Sequence, residues 1–174
     1  NLGALTLSLS FGLLLGVYGA RHAGRPPDVI TSILAFVFIA LPGFWVSYLL
    51  AIGLVNYGAV PILGTHTIGV TFSNGLEVFL DRWWHVMLPA SILAIGGVAV
   101  QSRFIRSSMI ETLREDYIRT ARAKGLDENA VFYRHALRNS VRPLITGIGM
   151  LLPALIGGAV IIENIFAYPG MGRL

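Results

Sequence analysis

Long uncharged stretches constrain this chain more than any other feature of its sequence. Leu2–Ala20, Val29–Tyr57, Val86–Val100 and Leu144–Ile162 hold no Asp, Glu, Lys or Arg. A helix rises 1.5 Å per residue, so about 20 apolar residues cross about 30 Å of hydrocarbon, and a soluble core has no use for four such runs. Hydrophobic residues make up 55% of the chain and charged residues 13%, about half the usual share of a soluble domain. The class expected is an all-α membrane protein, a polytopic helical bundle of one domain. Its spans are expected near 2–20, 29–57, 83–102 and 143–163.

The polar block between the last two spans, residues 103–142, carries nine of the thirteen Lys/Arg and five of the nine acids. It reads as helix, tight turn, helix. Ser108 followed by Glu111 has the spacing of a capping box. Met109, Leu113, Tyr117 and Ala121 recur every four residues and predict one apolar stripe on a charged helix. Lys124 and Gly125 fit a helix end, a cation followed by a residue that tolerates left-handed dihedrals. Leu126 is expected to fold back on that end. Asp127 is placed to cap the next helix, with Glu128 in its first turn. Val131, Phe132, Leu137 and Val141 give that helix a weaker stripe. A solvated linker, a helix on anionic lipid and a nucleic-acid-binding pair compete with this reading. The interspersed acids argue against nucleic acid, and the caps argue against a tether.

Basic residues set the orientation. Arg21, Arg25 and the nine of the block lie on one side, and Arg82 lies on the other. The positive-inside rule then places 103–142 in the cytoplasm. Asn1 falls outside, within an apolar run, and Leu174 follows a Tyr-Pro-Gly turn. A piece of a longer protein is expected, with a further span ahead of Asn1.

Smaller features fill in the spans. Gly12 and Gly16 have a spacing that suits close helix packing. Pro26 and Pro27 introduce the second span. Pro42-Gly43 is expected to kink that span, where it either lines a pathway or only packs. Trp83 and Trp84 suit an interfacial belt, and Pro89 is expected in a first helical turn. Gly157 and Gly158, with Pro153, break the last span. Glu163 falls at the far interface by helix length, with a substrate contact as the alternative. There is no cysteine. No Gly-rich phosphate loop, zinc-binding His-Glu-x-x-His or nucleophile elbow is present, and the four histidines lack metal-ligand spacing. No acid or base lies mid-span, which disfavours proton coupling.

The stretches Asp116–Leu126 (DYIRTARAKGL), Tyr133–Thr146 (YRHALRNSVRPLIT) and Phe166–Leu174 (FAYPGMGRL) resemble the cytoplasmic loop and following span of ABC-importer permeases. The similarity is to the first permease subunit of the dipeptide/oligopeptide/nickel branch. In the family's general pattern, Glu-Ala-Ala falls on Arg119, Thr120 and Ala121, the glycine on Gly125, and Ile-x-Leu-Pro on His135, Ala136, Leu137 and Arg138. Ala121, Gly125 and Leu137 keep the pattern. The acid is absent, and Arg138 stands where the proline would be. The resemblance implies a type I permease fold and a non-enzymatic subunit of a prokaryotic inner-membrane importer, with peptides the commonest cargo. It implies a coupling loop at Arg119, Thr120, Ala121, Arg122, Ala123, Lys124, Gly125 and Leu126 that docks on cytoplasmic ATPase subunits. ATP would act through those partners, with no cofactor on this chain. A second permease subunit, identical or not, an extracytoplasmic substrate-binding protein and the lipid bilayer complete the implied partners. Pro42, Gly43, Gly157 and Gly158 are the pathway candidates. A membrane scaffold or channel with a basic hairpin is the competing class.

Overall fold

A computed structural model describes residues 2–56, 63–147, 149 and 160–170. Among them every regular element is helical. The order is α1 (Leu2–Arg21), α2 (Pro26–Ala40), α3 (Gly43–Asn56), α4 (Gly75–Thr112), α5 (Asp116–Ala123), a π-helix (Ala130–Leu137) running into α6 (Arg138–Ser140), and α7 (Val160–Ile165). Residues 142–147 are helical as well. The last expected span lies largely outside the described residues, including Pro153, Gly157 and Gly158.

α1 and α4 form the central pair, and glycine makes their approach possible. A β-carbon at Gly12 would stand 2.6 Å from Gln101 Cβ, and one at Gly16 would stand 2.7 Å from the Ser102 carbonyl oxygen. Gly97 repeats the arrangement against Ser8. The Gly12/Gly16 spacing is thus a packing seam, where small side chains bring backbones together.

The second expected span is two helices, bent by 92° at Leu41-Pro42. Proline drives its predecessor out of the helical region, and Leu41 is extended at φ −82°, ψ 123°. Pro42 offers no amide hydrogen to continue α2, and its carbonyl instead accepts from Trp45 (2.9 Å) and Val46 (3.2 Å), starting α3. The kink expected at Pro42-Gly43 is here a sharp break between two helices. Among the described residues, two helices are long and apolar enough to cross a membrane by themselves, and the bent pair makes a third if it counts as one span. Rows of apolar side chains on α1–α3 face outward, among them Leu14, Ile33, Phe36 and Leu49.

α4 is longer than the third expected span at both ends. It starts at Gly75 because Asn74 accepts from the Glu77 amide (3.0 Å), while Glu77 reaches back to the Ser73 amide (2.8 Å). This capping pair lies in the Ser73-Asn74-Gly-Leu-Glu77 run. Pro89, expected near a helix start, sits inside α4. The helix passes Arg103 and ends at Thr112, so Ser108 caps nothing. In an unbroken helix the backbone donors beside Ser108 are already bonded to the preceding turn.

The turn at 113–115 also divides the single stripe expected from Met109 to Ala121. Arg114 donates to the Glu111 carbonyl (3.0 Å) and Glu115 to that of Thr112 (3.1 Å), so the chain turns before α5. A straight continuation would carry the next nine residues about 13 Å clear of the bundle. The turn lets Ile118 and Ala121 join Met109, Ile105, Val131, Phe132 and Ala136 in one core, with Ala20 from α1 and Leu144 after α6. A second core joins Ala51, Ile92, Ile162 and Phe166.

Candidate functional site

The polar block folds as the helix–turn–helix hairpin its sequence suggests, with α5 shorter than the stripe implied. The elbow follows from local chemistry. Gly125 has φ +77°, a left-handed conformation that costs a β-carbon-bearing residue about 1 kcal/mol or more. Its amide donates to the Arg122 carbonyl (2.9 Å) and that of Leu126 to the Ala121 carbonyl (3.4 Å), which closes a Schellman motif. The Leu126 side chain does not fold back. It is exposed, because Ala121, the residue it would cover, is turned into the core. Asp127 caps the following helix through Oδ2, accepting from Asn129 (2.9 Å) and Ala130 (3.4 Å).

The eight predicted residues divide by face. Arg119, Thr120, Arg122, Ala123, Lys124, Gly125 and Leu126 are exposed, and Ala121 is buried. Arg119 pairs with Asp116 (3.2 Å) on its own helix. Arg122 reaches across the elbow to Glu128 (2.7 Å), bridging the two arms. The outward face of α5 and its glycine end therefore form one basic, accessible ledge of short and charged side chains.

Several ties hold this ledge to the bundle. Ser108 donates to the Ser140 carbonyl (3.1 Å), and the Ser140 hydroxyl lies within hydrogen-bond range of the Ala136 carbonyl (2.9 Å) and the Thr112 hydroxyl (3.0 Å). Asn139 donates to the Tyr117 hydroxyl (2.8 Å), linking the arms. At the end of α1, Arg21 donates to Asn129 (2.7 Å) and lies 5.0 Å from the centre of the Phe132 ring. Sequence reasoning read Arg21 only as a topology signal, and no local pattern pairs it with residues more than a hundred positions away.

The pathway candidates fare unevenly. Pro42 and Gly43 form the α2–α3 break. Gly43 lines a cavity of about 280 Å³ with Phe38, Val46, Gly96 and Ile162. Gly157 and Gly158 lie outside the described residues. Glu163 is 7% exposed rather than solvated, with its carboxylate tucked under Gly170 in the turn that follows α7.

Outward-facing apolar helices joined to one polar hairpin define a multi-helix membrane protein. The chain belongs to the family of binding-protein-dependent transport system inner membrane components, whose sequence model matches residues 12–174. It is 40% identical over 172 residues to the oligopeptide transport system permease protein AppB of Bacillus subtilis, covering 98% of this chain and 52% of that one. It is 39% identical over 171 residues to a putative peptide permease protein of Brucella ovis, covering 98% and 52%. It is 37% identical over 165 residues to the glutathione transport system permease protein GsiC of Salmonella choleraesuis, covering 94% and 49%. The chain thus spans about half the length of these curated relatives.

Proposed function

We propose that this chain is part of a permease subunit of an ATP-driven importer, and that peptides are its cargo. Family membership supports the transport role. The names of the relatives, for oligopeptide and glutathione systems, support a peptide substrate. The observation that carries the mechanism is the ledge of α5. It presents Arg119, Thr120, Arg122, Ala123, Lys124, Gly125 and Leu126 outward while Ile118 and Ala121 fix it to the core.

In this reading the ledge is cytoplasmic and seats in a groove on a separate ATPase subunit. The ATPase supplies the chemistry and this chain supplies only shape. Closure of two ATPase subunits pushes on α5. Because Ile118 shares one core with Ile105 and Met109 of α4 and with Val131 and Phe132 of the second arm, and Arg21 ties that arm to α1, the push becomes a tilt of both helices. A paired permease subunit completes the cavity, a binding protein loads it from outside, and the Pro42–Gly43 break supplies a bend at which α2 and α3 can move apart.

The test reconstitutes the whole transporter with Gly125→Val in the permease. A β-branched residue at φ +77° reshapes the elbow without touching a span. ATP hydrolysis is expected to continue with peptide uptake reduced at least tenfold, while membrane insertion stays normal. Normal uptake in this variant would overturn the mechanism. Failure of the ATPase to co-purify with the unaltered permease would instead favour a scaffold or channel.

A further inference from the structure

A groove between α2 and α4, away from the hairpin ledge, combines cationic, hydroxyl and apolar walls. Its volume is about 510 Å³, and Ser32, Phe36, Val100, Arg103, Arg106 and Ser107 line it. The Arg103 guanidinium lies 3.8 Å from the centre of the Phe36 ring. Arg106 is neutralised by Asp28. Arg103 has no ion pair or hydrogen bond among the described residues, and the hydroxyls of Ser32 and Ser107 have no hydrogen bond there either. The groove therefore holds one uncompensated positive charge and two unused hydroxyls beside an apolar floor.

Depth along α4 indicates what such a groove meets. Arg82 and Arg103 bracket a run without Asp, Glu, Lys or Arg. At 1.5 Å per residue they stand about 31 Å apart, the thickness of the hydrocarbon layer. Arg103 therefore lies where acyl chains end and headgroups begin, with Val100 and Phe36 on the chain side and Ser107 on the water side. A guanidinium presents a planar fork of donors that fits phosphate oxygens, and basic pockets between spans take acidic headgroups.

We propose that this groove binds an anionic phospholipid. Its phosphate accepts from Arg103 and the serine hydroxyls, and an acyl chain lies along Phe36 and Val100. The proposal rests only on the chain spanning a bilayer, so it stands or falls separately from the coupling mechanism.

The experiment uses the full permease complex in detergent, titrated with dioleoylphosphatidylglycerol or dioleoylphosphatidylcholine and read by native mass spectrometry. The unaltered complex should retain the anionic lipid preferentially. Arg103→Gln should lower that preference about fivefold, the factor one cation contributes at an anionic surface. Arg103→Lys should keep most of it, and Arg82→Gln, at the other end of the apolar run, should leave it unchanged. An unaltered preference in Arg103→Gln would overturn the proposal. So would displacement of the anionic lipid by millimolar inorganic phosphate, which would mark the groove as a site for a soluble anion. A photocrosslink from p-benzoylphenylalanine placed at position 32 to a second permease chain would show that protein, not lipid, covers it.

Discussion

Asp28, in the first turn of α2, accepts hydrogen bonds on both carboxylate oxygens from Arg106 of α4, with Nη2 to Oδ2 at 2.7 Å. The same Oδ2 accepts from the Gly24 amide (2.8 Å). The loop that turns α1 into α2 is thereby fastened to the point where α4 leaves its apolar run. Asp28 is 2% exposed, whereas the Arg106 side chain is about one-third open.

Asp28→Asn should cost about 2–3 kcal/mol, less than the loss of a wholly buried pair because solvent reaches Arg106. Arg106→Gln in the same chain should recover part of the loss, since a buried acid and an unpaired cation are then both removed. Thermal unfolding of the detergent-solubilised complex measures each variant. Strict additivity would show that the two residues do not act as a pair.

Gly16→Leu should disrupt the α1–α4 seam, because a β-carbon at Gly16 meets the Ser102 carbonyl and Ile105 at once. Neither backbone nor a buried branched side chain yields cheaply, and overpacking of this kind costs about 1–3 kcal/mol or more. Gly3→Leu, with open space around it, is the matched control. Comparable melting temperatures for the two variants would contradict the close approach described at Gly16.

Arg122→Ala removes a pair whose side chains are 43% and 60% exposed. Such pairs contribute about 0–1 kcal/mol, so stability should barely change. If the outward face of α5 docks on an ATPase, uptake should nonetheless fall several-fold. Swapping the pair, Arg122→Glu with Glu128→Arg, should restore the bridge but not uptake. Recovery of transport by the swap would mean that the pair serves only the elbow's shape.

Ser140→Ala deletes the buried hydroxyl bonded to the Ala136 carbonyl and the Thr112 hydroxyl, leaving the Ser108 bond to the Ser140 carbonyl in place. The expected cost is about 1 kcal/mol. It should appear as faster amide exchange in the π-helix, with α1 unaffected. Unchanged exchange there would remove Ser140 from the ties that hold the hairpin.

The sequence by itself determined the all-helical membrane class, the hairpin, the Gly125 elbow and the Asp127 cap. Each of these is local. An uncharged run long enough to span lipid, a glycine after a cation and an acid before a helix act on the backbone within a few residues. The same locality misled the reading at Ser108, where the capping pattern is present but α4 runs through it, since packing against α1 and Ser140 favours an unbroken helix. Only the tertiary structure decided that α2 and α3 part by 92°, that Ala121 faces inward while its neighbours face out, and that Asp28 and Arg21 fasten distant segments. Those outcomes depend on which surfaces meet after the chain has turned back on itself. Residues 78 and 108 positions apart leave no spacing pattern in a linear sequence from which their contact could be read.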